Sequence, residues 1–281
     1  MCDYTQITKV FTKSTLLNQI NGLDSFILKE AVENFIKDSA NSNYSEIYEG
    51  LYKVLDKKYR NEYYYKNTML NKWLFGRYSP NTTTIITEFP MGNSKGDFVV
   101  INKKATVYEI KTELDTLGRL EGQLENYYKV FGNVGIVTCE KNEEIIRKKF
   151  QSTPVGILVL TKNNRLKQVQ KVQEELSAID KNEIFATLRK NEYEQILRLY
   201  YGKLPDVSAF KYYDSCREWF LKIELDVIYK SYYKILKARR KIRKEIYSVP
   251  SVLKLLCYDM ELQEGQYKRL MSHLYSQYRE G

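Results

Sequence analysis

Apolar positions recur three and four residues apart through "LLNQI", "SFILKEAVENFIKD", "YSEIYEGLYKVLDKKY" and "MLNKWLFG", with Asn, Gly and Ser between them, so residues 1–79 read as short packed helices. From Thr82 the texture turns to β-branched and alternating segments: "TTTIITEF", "DFVVI", "ATVYEIK", then "VGIVTC" and "VGILVLT". Between the third and fourth lies "DTLGRLEGQLENYYKVF", with Leu117, Leu120, Leu124 and Phe131 near helical spacing, and "NEEIIRKKF" predicts a second short helix. Three meandering strands, a helix, a strand, a short helix and a strand predict an α/β core over residues 80–175, with a mixed central sheet flanked by helices. Residues 176–281 return to helical periodicity, broken at "YGKLPD" and "YSVPS", and show no fixed-period repeat.

Composition narrows the chemistry. With 281 residues and 43% hydrophobic content the chain can bury a substantial core. It has no 18-residue apolar run and no signal-peptide pattern at its start, which predicts a cytoplasmic protein without a membrane partner. Cys2, Cys139, Cys216 and Cys257 are widely spaced and the one histidine is His273, so structural zinc, a disulfide framework and a histidine-dependent triad are not expected. Chemistry must rest on carboxylates, lysines and tyrosines. The net charge of +10 favours a polyanionic partner such as nucleic acid or an acidic membrane surface. The segment "YKSYYKILKARRKIRKEIY" concentrates Lys230, Lys234, Lys237, Arg239, Arg240, Lys241, Arg243 and Lys244, interleaved with Tyr232, Tyr233 and Tyr247, a pattern suited to phosphate contacts and base stacking.

The stretch "GDFVVINKKATVYEIKTELD" carries the sharpest signal. A three-residue hairpin loop at "NKK" pairs Ile101 with Ala105 and sets Asp97 opposite Glu109 on one face, with Lys111 joining them and Tyr108 and Ile110 pointing away. A two-residue loop would instead set Asp97 against Tyr108 and dissolve that face. Two facing carboxylates about 5 Å apart repel by about 3 kcal/mol at an effective dielectric near 20. A raised carboxyl pKa, the Lys111 ammonium, or most fully a divalent cation would offset this. Oxygen ligands without Cys or His suit Mg²⁺ or Mn²⁺.

Asp97 followed by Glu109-Ile110-Lys111 at the end of the next strand resembles the PD-(D/E)XK nuclease superfamily, with Gly96-Asp97 where the name has Pro-Asp. Gln123 and Tyr127 in "QLENY" look like the QxxxY helix motif of its RecB-like branch, and Arg119, Gln123 and Tyr127 share one helical face. The resemblance covers residues 85–130 and implies a restriction-endonuclease-like core. It implies that Asp97 and Glu109 bind the metal, with the Ile110 backbone carbonyl as a further ligand and Glu88 as an additional acid. It also implies that Lys111 orients or activates the attacking water, while Gln123 and Tyr127 place the lysine or the nucleic-acid backbone. Members use a glutamate from an N-terminal helix as well, for which Glu46 and Glu49 are the nearest choices. Met91–Gly96 reads as a mobile loop over the site, with Lys95 as a phosphate contact.

The resulting expectation is a Mg²⁺-dependent nuclease acting on DNA rather than RNA, with Lys95, Arg119, Lys237, Arg240, Lys241 and Lys244 touching nucleic acid. The alternatives are a non-catalytic nucleic-acid-binding protein that keeps the fold, or a protein-interaction domain with an acidic partner. A homodimer with two such sites would most easily cut both strands.

Overall fold

Six strands form one sheet in chain order: β1 (Thr84–Met91), β2 (Ser94–Ile101), β3 (Ala105–Lys111), β4 (Val134–Cys139), β5 (Gly156–Leu160) and β6 (Leu166–Gln170). β1, β2 and β3 are antiparallel neighbours, β3, β4 and β5 run parallel, and β6 returns antiparallel. The fold is therefore α/β with a mixed sheet. The computed structural model describes residues 3–23 and 25–279.

Burial explains the strand types. Every residue of β4 is buried, as a strand covered on both faces requires, and its sequence "VGIVTC" is continuous in apolar and small residues. β6, "LKQVQ", has no buried residue, and that polar character is why periodicity alone did not mark it as a strand. Met91 pairs with Ser94, so residues 91–96 are not a mobile loop: Gly92 and Asn93 make a tight hairpin turn, with Gly92 at φ +53°. Gly96 is required within β2, because a Cβ there would lie 2.6 Å from Met91 Cε and 2.7 Å from Val107 Cγ2.

The chain forms two compact units. One contains the sheet and spans Asn81–Lys111 and Asp115–Arg240; the other contains residues up to Pro80, Thr112–Leu114, and residues from Lys241 onward. This grouping differs from a division at residue 175. The helices Lys181–Ala186, Lys190–Tyr201, Ala209–Leu221 and Leu225–Ala238 send Ile184, Phe185, Ile196, Leu197, Phe220, Tyr232 and Leu236 into the same core as Phe89, Val107, Phe131 and Ile136. Their apolar stripes complete the sheet's core, so they belong with it.

In the helical unit the C-terminal segment is fastened to the Glu62–Lys72 helix. The Tyr63 hydroxyl donates to the Val252 carbonyl (2.6 Å), Asn67 Nδ2 to the Ser251 carbonyl (3.0 Å), and the Leu255 N–H to Asn67 Oδ1 (3.1 Å). Glu46 closes a capping box, accepting the Asn43 N–H at 2.8 Å at the start of the Tyr44–Lys58 helix. That is a structural use of the carboxylate, and Glu49 lies exposed on the same helix. A cavity of about 610 Å³ in this unit is lined by Gln19, Tyr44, His273 and Gln277 and holds none of the carboxylates singled out above. Cys139, Cys216 and Cys257 are buried and outside any disulfide, and Cys2 lies outside the described residues. No helix among the described residues is long and apolar enough to cross a membrane.

Two members of the basic run point inward. Arg239 Nη2 lies 2.6 Å from Glu192 Oε2 and its Nε 2.8 Å from Glu192 Oε1, with the guanidinium 5.4 Å from the Phe89 ring centroid. Tyr232 is fully buried, its hydroxyl 2.7 Å from Thr187 Oγ1. Both are therefore core residues of the sheet unit and not nucleic-acid contacts. Burial pushes the Glu192 carboxyl up, but the Arg239 hydrogen bonds, the Arg189 N–H and the nearby positive charge outweigh it and hold the pKa below the usual 4.5. A depressed folded pKa contributes stability above the unfolded value that is lost as pH falls. Glu192→Gln should accordingly flatten the loss of stability below about pH 4.5, read by urea unfolding across that range.

Candidate active site on the β2–β3 hairpin

The hairpin takes the three-residue-loop register. Ile101 pairs with Ala105, Val100 with Thr106, Val99 with Val107 and Phe98 with Tyr108. One step further the regular ladder stops, and Asp97 Oδ2 instead accepts the Ile110 N–H at 2.8 Å. The same lapse occurs on the other side: Thr87 pairs with Phe98 and Phe89 with Gly96, and the regular register skips the step at Glu88 and Asp97. Glu88 sits at φ +54°, a left-handed conformation costing about 1–3 kcal/mol for a residue with a side chain. Carboxylate oxygens of Glu88 and Asp97 approach within 4.8 Å of each other. Lys95 Nζ stands 3.3 Å from Glu88 Oε2 and offsets part of that repulsion.

Glu109 and Lys111 are both buried at the end of β3, 2% and 8% exposed. Such burial demands partners for both charges, and each has them. Lys111 Nζ donates to Glu109 Oε1 (2.7 Å) and to Gln123 Oε1 (3.0 Å), while the Tyr127 hydroxyl donates to Glu109 Oε2. The tyrosine oxygen also lies 2.8 Å from the Lys95 carbonyl. Gln123 and Tyr127 come from the Leu120–Tyr128 helix, whose Leu120, Leu124 and Tyr127 form the buried stripe that seats it on the sheet. Gln123 is half-buried beside that stripe, and Arg119 lies exposed at the helix start.

The structure therefore brings Glu109, Lys111, Gln123 and Tyr127 into one hydrogen-bonded network and sets Asp97 against Glu88 beside it. The charge of Glu109 is met by Lys111 and Tyr127. Glu109 does not belong to the close carboxylate cluster of Glu88 and Asp97 among the described residues. At Ile110 it is the N–H that enters the site, bound to Asp97. Two contributors were not singled out from the sequence. The buried Thr138 hydroxyl donates to the Lys111 carbonyl (2.8 Å), and Asn126 Nδ2 donates to Ser94 Oγ (2.8 Å), tying the helix to the start of β2. A threonine inside the otherwise apolar "VGIVTC" is the one hint that the chain offered.

The site's donors toward a cation are oxygens only. Asp97 and Glu88 suit a hard divalent ion, and Glu109 could add a lone pair not engaged by Lys111 or Tyr127. Burial first, then the neighbouring Glu109 charge and hydrogen bond, raise the Tyr127 pKa far above its usual 10. Tyr127 is thus a neutral donor throughout the working pH range. Its raised folded pKa gives stability that is complete below about pH 10 and lost as pH climbs above it. Tyr127→Phe should flatten that alkaline loss and, by leaving Glu109 short of a donor, lower stability at neutral pH by about 1–3 kcal/mol, measured by urea unfolding.

The nominated nucleic-acid contacts fall in several places. Lys95 borders the site through its carbonyl and its ion pair with Glu88. The basic run is not one helical face: the helix ends at Ala238, Lys237 and Arg240 belong to the sheet unit, and Lys241 and Lys244 to the helical unit. The family described as bacteriophage P4 protein cII matches residues 56–252, a span that includes the whole sheet unit, and the chain belongs to that family. It is 31% identical over 136 residues to Protein cII of Enterobacteria phage P4, a stretch covering 47% of this chain and 51% of that protein. The chain thus spans about half the length of the curated relative it matches. No solved structure matches it.

Proposed function

We propose that the protein is a metal-dependent nuclease hydrolysing phosphodiester bonds of DNA in the cytoplasm. The observation that carries this reading is the Lys111 ammonium, held between Glu109 and Gln123 at the strand end where Asp97 meets Glu88. A lysine used only for structure would be better placed at the surface; here it is buried, doubly anchored, and one residue from the peptide that holds Asp97. The resemblance of Asp97, Glu109-Ile110-Lys111 and Gln123-Tyr127 to the PD-(D/E)XK pattern of the RecB-like branch supports the same reading.

Asp97 and Glu88 would hold Mg²⁺ or Mn²⁺, which when bound polarises the scissile phosphate and acidifies a coordinated water. Lys111 has one N–H beyond the two in use and can hold the attacking water or a phosphate oxygen with it. Glu109 aims that lysine, Gln123 fixes its second direction, and Tyr127 fixes Glu109. A second reading, a nucleic-acid-binding protein that does not cut, is favoured by one observation: both Glu109 oxygens already accept hydrogen bonds. Labelled linear duplex, circular duplex and single-stranded RNA, incubated with Mg²⁺ or Mn²⁺ and with EDTA, separate the readings. The nuclease cuts at least one DNA with metal and none in EDTA; binding without cutting on every substrate favours the second reading.

A further inference from the structure

The helical unit carries an aromatic and cationic surface that the hairpin chemistry does not use. At its centre is a π-helix, Trp73–Arg77, closed by the Tyr78 N–H donating to the Trp73 carbonyl at 2.7 Å. Trp73 and Leu74 are buried, which leaves Phe75 half-buried at the surface and Arg77 exposed. The Tyr247 ring meets Phe75 edge-on, centroids 5.6 Å apart, and is itself 55% exposed. Lys254 Nζ lies 4.4 Å from the Phe75 ring centroid. Tyr247 sits in the 3₁₀ turn Lys244–Ser248, where residues three apart eclipse, so Lys244 and Tyr247 share a side while Ile246 faces the core.

The charge on this surface is mainly positive, with Glu245 and Glu264 near Lys244. Lys254 stands over the Phe75 ring, Lys244 shares the Tyr247 side of the turn, and Arg77 stands over the neighbouring Tyr78 ring. The acid of the 3₁₀ turn, Glu245, exerts its field on Tyr267 and Lys268, and Glu264, which senses Lys244, is bound to Lys268 at 2.8 Å. Burial lowers the Lys254 pKa, a desolvation that an arriving phosphate would offset. An exposed tyrosine ring beside lysines matches a strand whose bases are free to stack and whose backbone is anionic; a paired duplex offers the phosphates but not the base faces.

We infer that Tyr247, supported by Phe75, forms with Lys244 and Lys254 a binding platform for single-stranded nucleic acid, with a base on the Tyr247 ring and phosphates on the lysines. This rests on the reading that nucleic acid is the substrate, and it adds a contact for an unpaired segment apart from the hairpin.

The test is the affinity of the full chain, in EDTA, for a labelled oligothymidine and for a duplex of equal length. Tyr247→Ala should weaken oligothymidine binding about tenfold and leave duplex binding unchanged, while Tyr247→Phe restores it. Lys244→Gln, which disturbs no packing, should reduce the slope of log affinity against log salt by about one for oligothymidine. Wild-type affinity for oligothymidine in Tyr247→Ala, equal losses on duplex and single strand, or no oligothymidine binding by the wild type would each overturn the platform. If the wild type cuts duplex DNA with metal while Tyr247→Ala binds oligothymidine normally, the platform alone falls. If the wild type cuts nothing while the Tyr247 effect holds, the platform stands and the nuclease reading falls.

Discussion

Asp97→Asn should reduce metal-dependent cleavage by at least about 10²–10³-fold, as expected when a charged group that acts on the transition state is lost. The substitution is chosen for what it leaves intact. An asparagine Oδ1 can still accept the Ile110 N–H that Asp97 Oδ2 accepts at 2.8 Å, so the end of the hairpin keeps its tie across β2 and β3. The negative charge facing Glu88 disappears. Single-turnover cleavage rates of the two proteins, with binding measured in EDTA, check this: the rate should collapse while binding stays within a fewfold. A neutral effect on the rate would mean that Asp97 serves only as a backbone acceptor.

The second large effect is on stability. Glu109 is 2% exposed and depends on Lys111 for one of its two hydrogen-bonded partners. Lys111→Met removes the compensating charge and should destabilise the protein by about 3–5 kcal/mol in urea unfolding. Adding Glu109→Gln to Lys111→Met removes the stranded charge and should recover most of that loss, because an uncompensated buried ion, rather than a missing contact, causes the damage. Equal stability of the single and double variants would contradict the network. For the same reason, lost cleavage in a Lys111 variant is informative only beside its unfolding curve.

The hairpin was legible in the chain because three features agreed there. "NKK" has the length of a common hairpin loop, the flanking segments alternate, and a one-residue change of register would have exchanged the faces of Glu109 and Tyr108. The helix presenting Gln123 and Tyr127 was equally readable from its leucine spacing. What periodicity could not show is how the ladder yields at Asp97 and Glu88, since a positive φ at a glutamate has no sequence signature. Nor could it show that Glu109 would be met by Lys111 and Tyr127, a pairing that depends on the helix descending onto the strand end.

The basic run misled in part because charge counts do not reveal direction. Arg239 reads like its neighbours, yet it turns inward to the buried Glu192, a residue 47 positions away along the chain. The boundary of the sheet unit was hidden similarly. The helices from Lys181 to Ala238 have ordinary amphipathic stripes, and only the tertiary structure shows that these stripes complete the sheet's core.

The central claim is that the hairpin carboxylates hold a divalent cation, and it can be tested without knowing the substrate. Electron paramagnetic resonance of Mn²⁺ titrated into the wild type and into Asp97→Asn reads free and bound metal directly. The account predicts protein-bound Mn²⁺ in the wild type, displaced by Mg²⁺ and lost in Asp97→Asn; bound Mn²⁺ that is the same in both proteins, or absent from the wild type, would contradict it.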